Sequence, residues 1–246
     1  MTNPGPDPGP DPDAGFDQLR NFTGRVPLFP LPDAVLFPHG VLQLVVFEPR
    51  YRQMVEDSLA RDRLIAMALL APGWEATYES KSAPIHQTVC IGRIASWELL
   101  DDGRYQIALE GLARGIVLDE DHSTRPYRVA RIELRSDMPS GLSSQQRRRR
   151  QRELLVGFQQ AAAGCDFDQS FHDSLDADLP LGGLCDVIAF SLALGPDVAQ
   201  AIFEESDIAN RSLMVLGELK DCITSSAENA SGTQHNQTFP PPYSLN

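Results

Sequence analysis

Apolar and polar positions change period halfway along the chain. Residues 26–37 are mostly apolar but are broken by Pro27, Pro30 and Pro32, with Pro38 just beyond. Proline donates no backbone hydrogen bond, so this stretch predicts a short edge strand wrapping onto a core, not a central strand. Residues 41–46 have no such breaks and are rich in valine and leucine, which predicts a buried strand. Pro49, after Glu48, fits the first position of a helix. Tyr51, Met54, Val55, Ser58 and Leu59 then share one helical face. Residues 64–70 are continuously apolar and predict another buried strand. Residues 71–84 mix Pro, Gly, Trp74 and Tyr78 with polar residues, which predicts a long surface loop of the kind that carries binding groups.

Residues 88–100 alternate in polarity and predict a strand that is at least half buried. Asp101-Asp102-Gly103 is a turn signal, so 105–110 closes a β-hairpin with it. Gly111 marks a bulge or bend, and 116–118 and 127–134 add two more strands. Past Pro139-Ser140-Gly141 the period changes from two to 3.6. Ser143 and Gln146 form a capping-box pattern that starts a helix. Further helices are predicted at 181–194, 197–205 and 208–223, punctuated by Pro180 and Gly195-Pro196. The last has Leu213, Leu216, Leu219 and Ile223 as its core stripe. Residues 163–178 fit a short helix and a loop.

Several blocks carry a resemblance, in order: Pro27 to Leu31, Phe37-Pro38, the apolar 41–46, Phe47 to Tyr51, Gly92 to Ala95, Asp102 to Tyr105, and Glu110, Gly111 and Arg114. Together they resemble the N-terminal substrate-binding domain of Lon proteases. Gln43 departs from the pattern, where the family has proline. A weaker match continues through Leu179-Pro180, Asp186 to Ala189 and Arg211 to Leu219. The resemblance implies an α+β fold: a PUA-like, bent antiparallel β-domain (a pseudobarrel) with one inserted helix, followed by a C-terminal helical bundle. The domain limits expected are 21–136 for the β-domain and 137–223 for the bundle. Residues 1–20 repeat Pro, Gly and Asp and are expected to be a disordered acidic leader; 224–246 are polar and proline-rich and are expected to be a disordered tail.

Composition narrows the function. The formal net charge is −13 over 246 residues, which repels nucleic acid and anionic membrane. No apolar run reaches the ~20 residues of a membrane span, and the first 17 residues lack the basic and apolar parts of a secretory signal. A cytoplasmic location is expected. The four cysteines are far apart and without metal-ligand spacing, so reduced, partly buried thiols and no metal are expected. Only Lys81 and Lys220 are lysines. Neither stands in a phosphate-cradling loop or in a serine–lysine peptidase context. No Gly-x-Ser-x-Gly elbow is present, and the five histidines are scattered. No catalysis and no cofactor are therefore expected.

The residues left as candidates are binding residues. Phe29, Leu31 and Phe37 offer apolar surface on a proline-broken edge, and Arg50, Tyr51, Trp74 and Tyr78 stand beside it in sequence or on the loop. These are the candidate peptide-binding residues, with an apolar groove between sheet and helices as the expected seat. Arg50 also has an architectural reading, tying the helix to a nearby carboxylate. Arg147, Arg148, Arg149 and Arg150, with Arg152, cover most of a helix circumference. They read as a solvated helix start paired with the chain's own acid, or as a contact for an acidic partner. The resemblance implies a free-standing, non-catalytic module binding unfolded or tagged polypeptides. Such a module could serve as an adaptor in protein quality control beside a separate Lon-type protease. An RNA-binding PUA-like protein and a cryptic hydrolase are the alternatives.

Overall fold

The computed structural model describes residues 19–20, 22–121, 124–162, 179–192 and 194–229. The strands are β1 (Arg25–Leu31), β2 (Val41–Val46), β3 (Leu64–Leu69), β4 (Thr88–Leu99), β5 (Tyr105–Glu120) and β6 (Arg128–Arg135). Helix α1 (Pro49–Leu59) lies between β2 and β3. After the sheet come α2 (Ser144–Ala161), α3 (Leu181–Ser191), α4 (Pro196–Glu204) and α5 (Ile208–Asn229). The sheet order is β2-β5-β4-β3-β1-β6, and β6 also pairs with β5. Five strands thus close into a ring, and β2 hangs on the first half of β5.

The ring corrects the expected strand roles. The sheet is not wholly antiparallel: β1 and β3 pair in parallel, because α1 and β2 carry the chain back to start β3 in the direction of β1. Nor is β1 an edge strand, since it pairs with both β3 and β6. Its prolines are tolerated because the two pairings meet only at Leu28, which faces Ala66 of β3 and Arg128 of β6. Alternate residues of a strand turn their backbone groups to the same neighbour. Gly24 O accepts from Ile132 N (2.7 Å) and Leu31 O from Leu70 N (2.9 Å). By that alternation Pro27 faces β3 before pairing with β3 begins, and Pro30 faces β6 after pairing with β6 has ended. The true edge is β2, which pairs only with β5 and alternates exposed and buried residues, rather than being buried on both faces.

Strand β5 is continuous where two strands were expected. Opposite β4, Ile91 pairs with Ala113 and Gly92 with Gly111, so Leu112 is the extra residue of a bulge. Gly111 is required there by close approach. A Cβ at this position would lie 2.0 Å from the Phe37 carbonyl oxygen. Its N–H donates to Gly40 O, and its carbonyl accepts from His39 N. The β4–β5 hairpin, the capping box at Ser143 and Gln146, and the buried face of α1 follow the sequence pattern.

Two apolar clusters fill the molecule. One collects Val26, Leu28, Ala66, Ala68, Ile91, Ala113, Ala130 and Ile132 from all five ring strands, the small side chains that a narrow closed sheet can hold. The other runs without a break from Phe29, Leu31, Leu44 and Met54 to Leu154, Phe158, Ile188, Phe203 and Leu219 on the helices. The stripe of α5 is offset from the one expected. Arg211, Ser212, Val215 and Leu219 are buried, while Leu213 is 55% exposed. Polar Arg211 and Ser212 stand on the inner face because partners await them there.

Those partners form a buried ionic network. Arg114 on β5 donates from Nη1 and Nη2 to the two oxygens of Asp186 on α3 (2.8 and 2.6 Å), and from Nε to Phe203 O (2.8 Å). Its guanidinium also lies over the Phe203 ring. Arg211 bonds Asp137 through both Nη atoms, and its Nε lies 3.4 Å from Asp186 Oδ1. Burial alone would raise the Asp186 carboxyl, but Arg114 and Arg211 reverse this and hold it below the usual carboxylate range.

Candidate functional site

The start of α1 brings five of the predicted binding residues together. Proline at the first helical position sets the turn, and the Glu48 side chain leaves the helix end to hold two neighbours. Glu48 Oε2 accepts from Arg50 Nε and Oε1 from the Tyr78 hydroxyl, each at 2.8 Å. Arg50 Nη1 donates to Tyr78 O at 3.0 Å. The guanidinium carbon lies 4.6 Å from the Tyr51 ring centre and 5.0 Å from that of Tyr78. Phe29 packs on Tyr51 (4.6 Å between centroids), and Trp74 meets Tyr78 edge-on (5.4 Å). Trp74 and Tyr78 flank a single 3₁₀ turn, Glu75–Thr77, which is how a long loop folds back to reach α1. Burial, then the bond to Glu48, pushes the Tyr78 hydroxyl up to about 12, and burial raises that of Tyr51. Both stay neutral, with the cation held between their faces.

One donor of this cluster is unused: Arg50 Nη2 is buried without a hydrogen-bond partner. Beside Arg50 a small cavity opens, with room for about 10 Å³, walled by Pro30, Tyr51, Tyr127 and Arg128 and rimmed by Ser80 and Lys81. It lies where β1 and β6 part after Leu28 and Arg128. Arg128 is committed to Glu120 (2.5 and 2.7 Å) and Ala83 O (2.7 Å). Lys81 Nζ donates to Arg125 O.

Leu31 and Phe37 are elsewhere. Both are almost wholly buried, and Phe37 packs edge-on against Phe203 of α4 (5.4 Å). They fill the junction of sheet and helices and are not exposed there. A groove of about 520 Å³ lies instead between α2 and α5, floored by Val156, Gly157, Leu216, Leu219 and Ile223. The arginine run starts α2 in solvent. Arg147, Arg148, Arg149 and Arg152 are exposed and Arg150 is partly buried. Arg149 and Arg150 both pair with Glu153, and Arg150 also donates to Ser212 Oγ (3.1 Å).

Among the described residues, no group of three His, Cys, Asp or Glu could hold a metal ion, and no helix is long and apolar enough to cross a membrane. Cys90 and Cys185 are buried free thiols, and burial pushes Cys185 up to about 12, far from a reactive thiolate. Residues 163–178, with Cys165 and His172, all of the leader but Leu19 and Arg20, and all but the first residues of the tail lie outside the described residues.

Sequence reasoning missed Glu48, which organises the cluster, and exposed Trp97 and Leu99 on the β4 hairpin arm. It also missed the meeting of Arg114, Asp186 and Arg211. The signal for the last was at hand, since all three lie within the blocks that carried the resemblance.

Comparison with known proteins places this architecture. Residues 25–221 match the model of the ATP-dependent protease La (LON) substrate-binding domain. A Lon protease of Desulfatibacillum aliphaticivorans is 27% identical over 209 residues, which is 82% of this chain and 24% of that protein. The chain spans about a quarter of the length of such curated relatives. Two solved structures share the fold. The Lon N-terminal domain protein from Xanthomonas campestris has a TM-score of 0.57 at 20% identity, covering 78% of this chain and 97% of that one. The N-terminal domain of the Mycobacterium avium complex Lon protease has a TM-score of 0.62 at 12% identity, covering 80% and 98%. The family match covers most of the chain, so the chain belongs to the Lon substrate-binding domain family.

Proposed function

We propose that this member of the Lon substrate-binding domain family is a non-catalytic module that binds unfolded or tagged polypeptide. The family match across 25–221 carries the reading, and a PUA-like description of its ring and appended helices goes with it. In this reading the substrate lies against the loop bearing Trp74 and Tyr78, where the Arg50 cluster meets the surface. Aromatic and arginine side chains at a rigid concavity are the usual anchors of a protein interface. Delivery to a Lon-type peptidase, in the same or a separate chain, would make it an adaptor.

Trp97→Phe leaves Trp74 as the sole tryptophan, so its fluorescence reports on this surface alone. Titration with a reduced, unfolded polypeptide should give a saturable change. The same titration with the folded polypeptide should give none. A Trp74 signal unmoved by any unfolded chain defeats the reading.

A further inference from the structure

We infer that two copies of this chain pair through the free edge of β2, running antiparallel about Gln43 and joining their sheets into one. This goes beyond the polypeptide-binding reading and does not depend on it.

The free edge follows from the hydrogen bonding of β5. Gly111 turns both its N–H and its carbonyl toward Gly40 and His39. Backbone groups alternate along a strand, so Leu109, Ile107 and Tyr105 face the same way and meet Leu42, Leu44 and Val46. That leaves the N–H and C=O of Val41, Gln43 and Val45 directed away from β5. Among the described residues β2 pairs with no other strand. The side chains of the same residues are exposed, Val41 at 48% and Val45 at 40%. Natural edge strands are ordinarily blunted by a charge, a proline or a bulge. Residues 41–46 have none of these and pair with β5 in unbroken register.

The occupant is read from the symmetry of the edge. Residues 41–45 run Val-Leu-Gln-Leu-Val, the same in both directions. A two-fold axis at Gln43 sets Val41 against Val45 of the second copy and Gln43 against its own equivalent. The outward residues are evenly spaced about that axis, so every outward N–H meets an outward carbonyl. The valines touch across the junction, a favourable pairing of branched side chains. The charge is also permissive. A net −13 keeps copies apart in general, yet residues 40–47 hold no charged side chain. Glu110 sits beside Val41 on β5, and Gln106 beside Val45. Across the junction the row therefore runs Glu110, Val41, then Val45 and Gln106 of the second copy, and no carboxylate opposes another. A foreign extended strand satisfies the backbone groups alone. A second copy matches the side chains at both ends as well.

Sedimentation equilibrium of the full chain over a wide concentration range reads the self-association. The chain should pass from monomer to dimer and stop there, because a two-fold junction closes on itself. Gln43→Pro removes the central outward donor of each copy and should weaken the dimer at least about tenfold, or about 1.4 kcal/mol. The monomer should tolerate it, since that N–H does not bond β5. Val41→Lys with Val45→Lys sets like charges against each other and should abolish the dimer; both positions are exposed, so this variant carries the test where Gln43→Pro does not fold. Val41→Lys with Val45→Glu should restore the dimer, because the antiparallel register sets each new cation against a new anion. A chain that stays monomeric at every concentration overturns the proposal, and so does a dimer that the paired lysines leave intact. Equal loss in the Lys–Lys and Lys–Glu variants overturns the register. A last arm separates a copy from a foreign strand. In the Trp97→Phe chain, Gln43→Pro should leave the Trp74 titration with unfolded polypeptide unmoved. A monomer whose polypeptide affinity falls with Gln43→Pro gives the edge to another chain, which overturns self-pairing and leaves the polypeptide reading standing.

Discussion

Arg114 and Asp186 are 72 residues apart, yet they meet through two parallel hydrogen bonds of 2.8 and 2.6 Å in the interior. One lies on β5, which pairs with β2, β4 and β6, the other on α3. The carboxylate also faces Arg211 at 3.4 Å. Sheet and helices are therefore joined by charge as well as by the shared apolar cluster.

Asp186→Asn should destabilise the fold by about 3–5 kcal/mol, the usual cost of stripping one partner from a buried ion pair. The amide keeps the shape but leaves Arg114 and Arg211 sharing Asp137 alone. Urea unfolding at neutral pH measures the loss. A change below about 1 kcal/mol contradicts the role given to this pair.

The same carboxyl sets an acid limit. Its folded value is depressed, as is that of Asp57, which accepts from Tyr127 Oη (2.5 Å). The unfolded chain, near 3.9, therefore takes up protons first as pH falls. The stabilisation is full well above that value and is lost as pH drops through the lower folded one. Urea midpoints should be flat near neutrality and fall below about pH 4. In Asp186→Asn the fall should be shallower.

Gly111→Ala should cost about 3 kcal/mol or more, at or beyond the upper end of overpacking effects. The added methyl would fall on the Phe37 carbonyl, a backbone atom that cannot step aside. Gly141→Ala, with nothing within 4 Å of the added atom, should change stability by no more than about 0.5 kcal/mol. Thermal unfolding of the two variants side by side checks the contrast.

Tyr78→Phe should cost about 1 kcal/mol. That is less than a fully buried bond to a charged group, because water reaches this loop. Losing the hydroxyl frees Glu48 Oε1 and loosens Arg50, so peptide affinity at this surface should fall as well. Unfolding and Trp74 titration on the one variant separate the two effects.

Arg147→Glu should stabilise the chain by roughly 0.3–1 kcal/mol, since acid at the end of the first helical turn favours the dipole that this arginine opposes, and Arg148→Glu, one residue past that turn, should add less. Both side chains are exposed, so little packing is at stake. Peptide affinity should stay within about twofold. A large loss would instead mark the run as a contact for an acidic partner.

The order of elements was legible in the sequence because each has a clear period or punctuation: the Glu48-Pro49 start, the Asp101-Asp102-Gly103 turn, the Ser143–Gln146 cap. Strand roles were not. Pro27 and Pro30 argue against a central strand only if both neighbours pair along its whole length, and here each neighbour covers half. Leu213 looked like core because leucine usually is, while Arg211 took the inner position on the strength of carboxylates far away in sequence. Of the candidate site, Phe29, Arg50, Tyr51, Trp74 and Tyr78 do converge, but Leu31 and Phe37 do not. Apolar residue type cannot say which side of a strand meets solvent once its pairing partners are unknown.

The closure of β1 on β6 bears on how the molecule is made. Val26 waits for Ala130, so the first strand of this sheet to be made is completed by the sixth. Until the sixth has emerged, the apolar stretch from Val26 to Leu28 lacks its partner strand, and a stalled or shortened nascent chain would present the same kind of sticky surface that quality-control machinery seeks out in others.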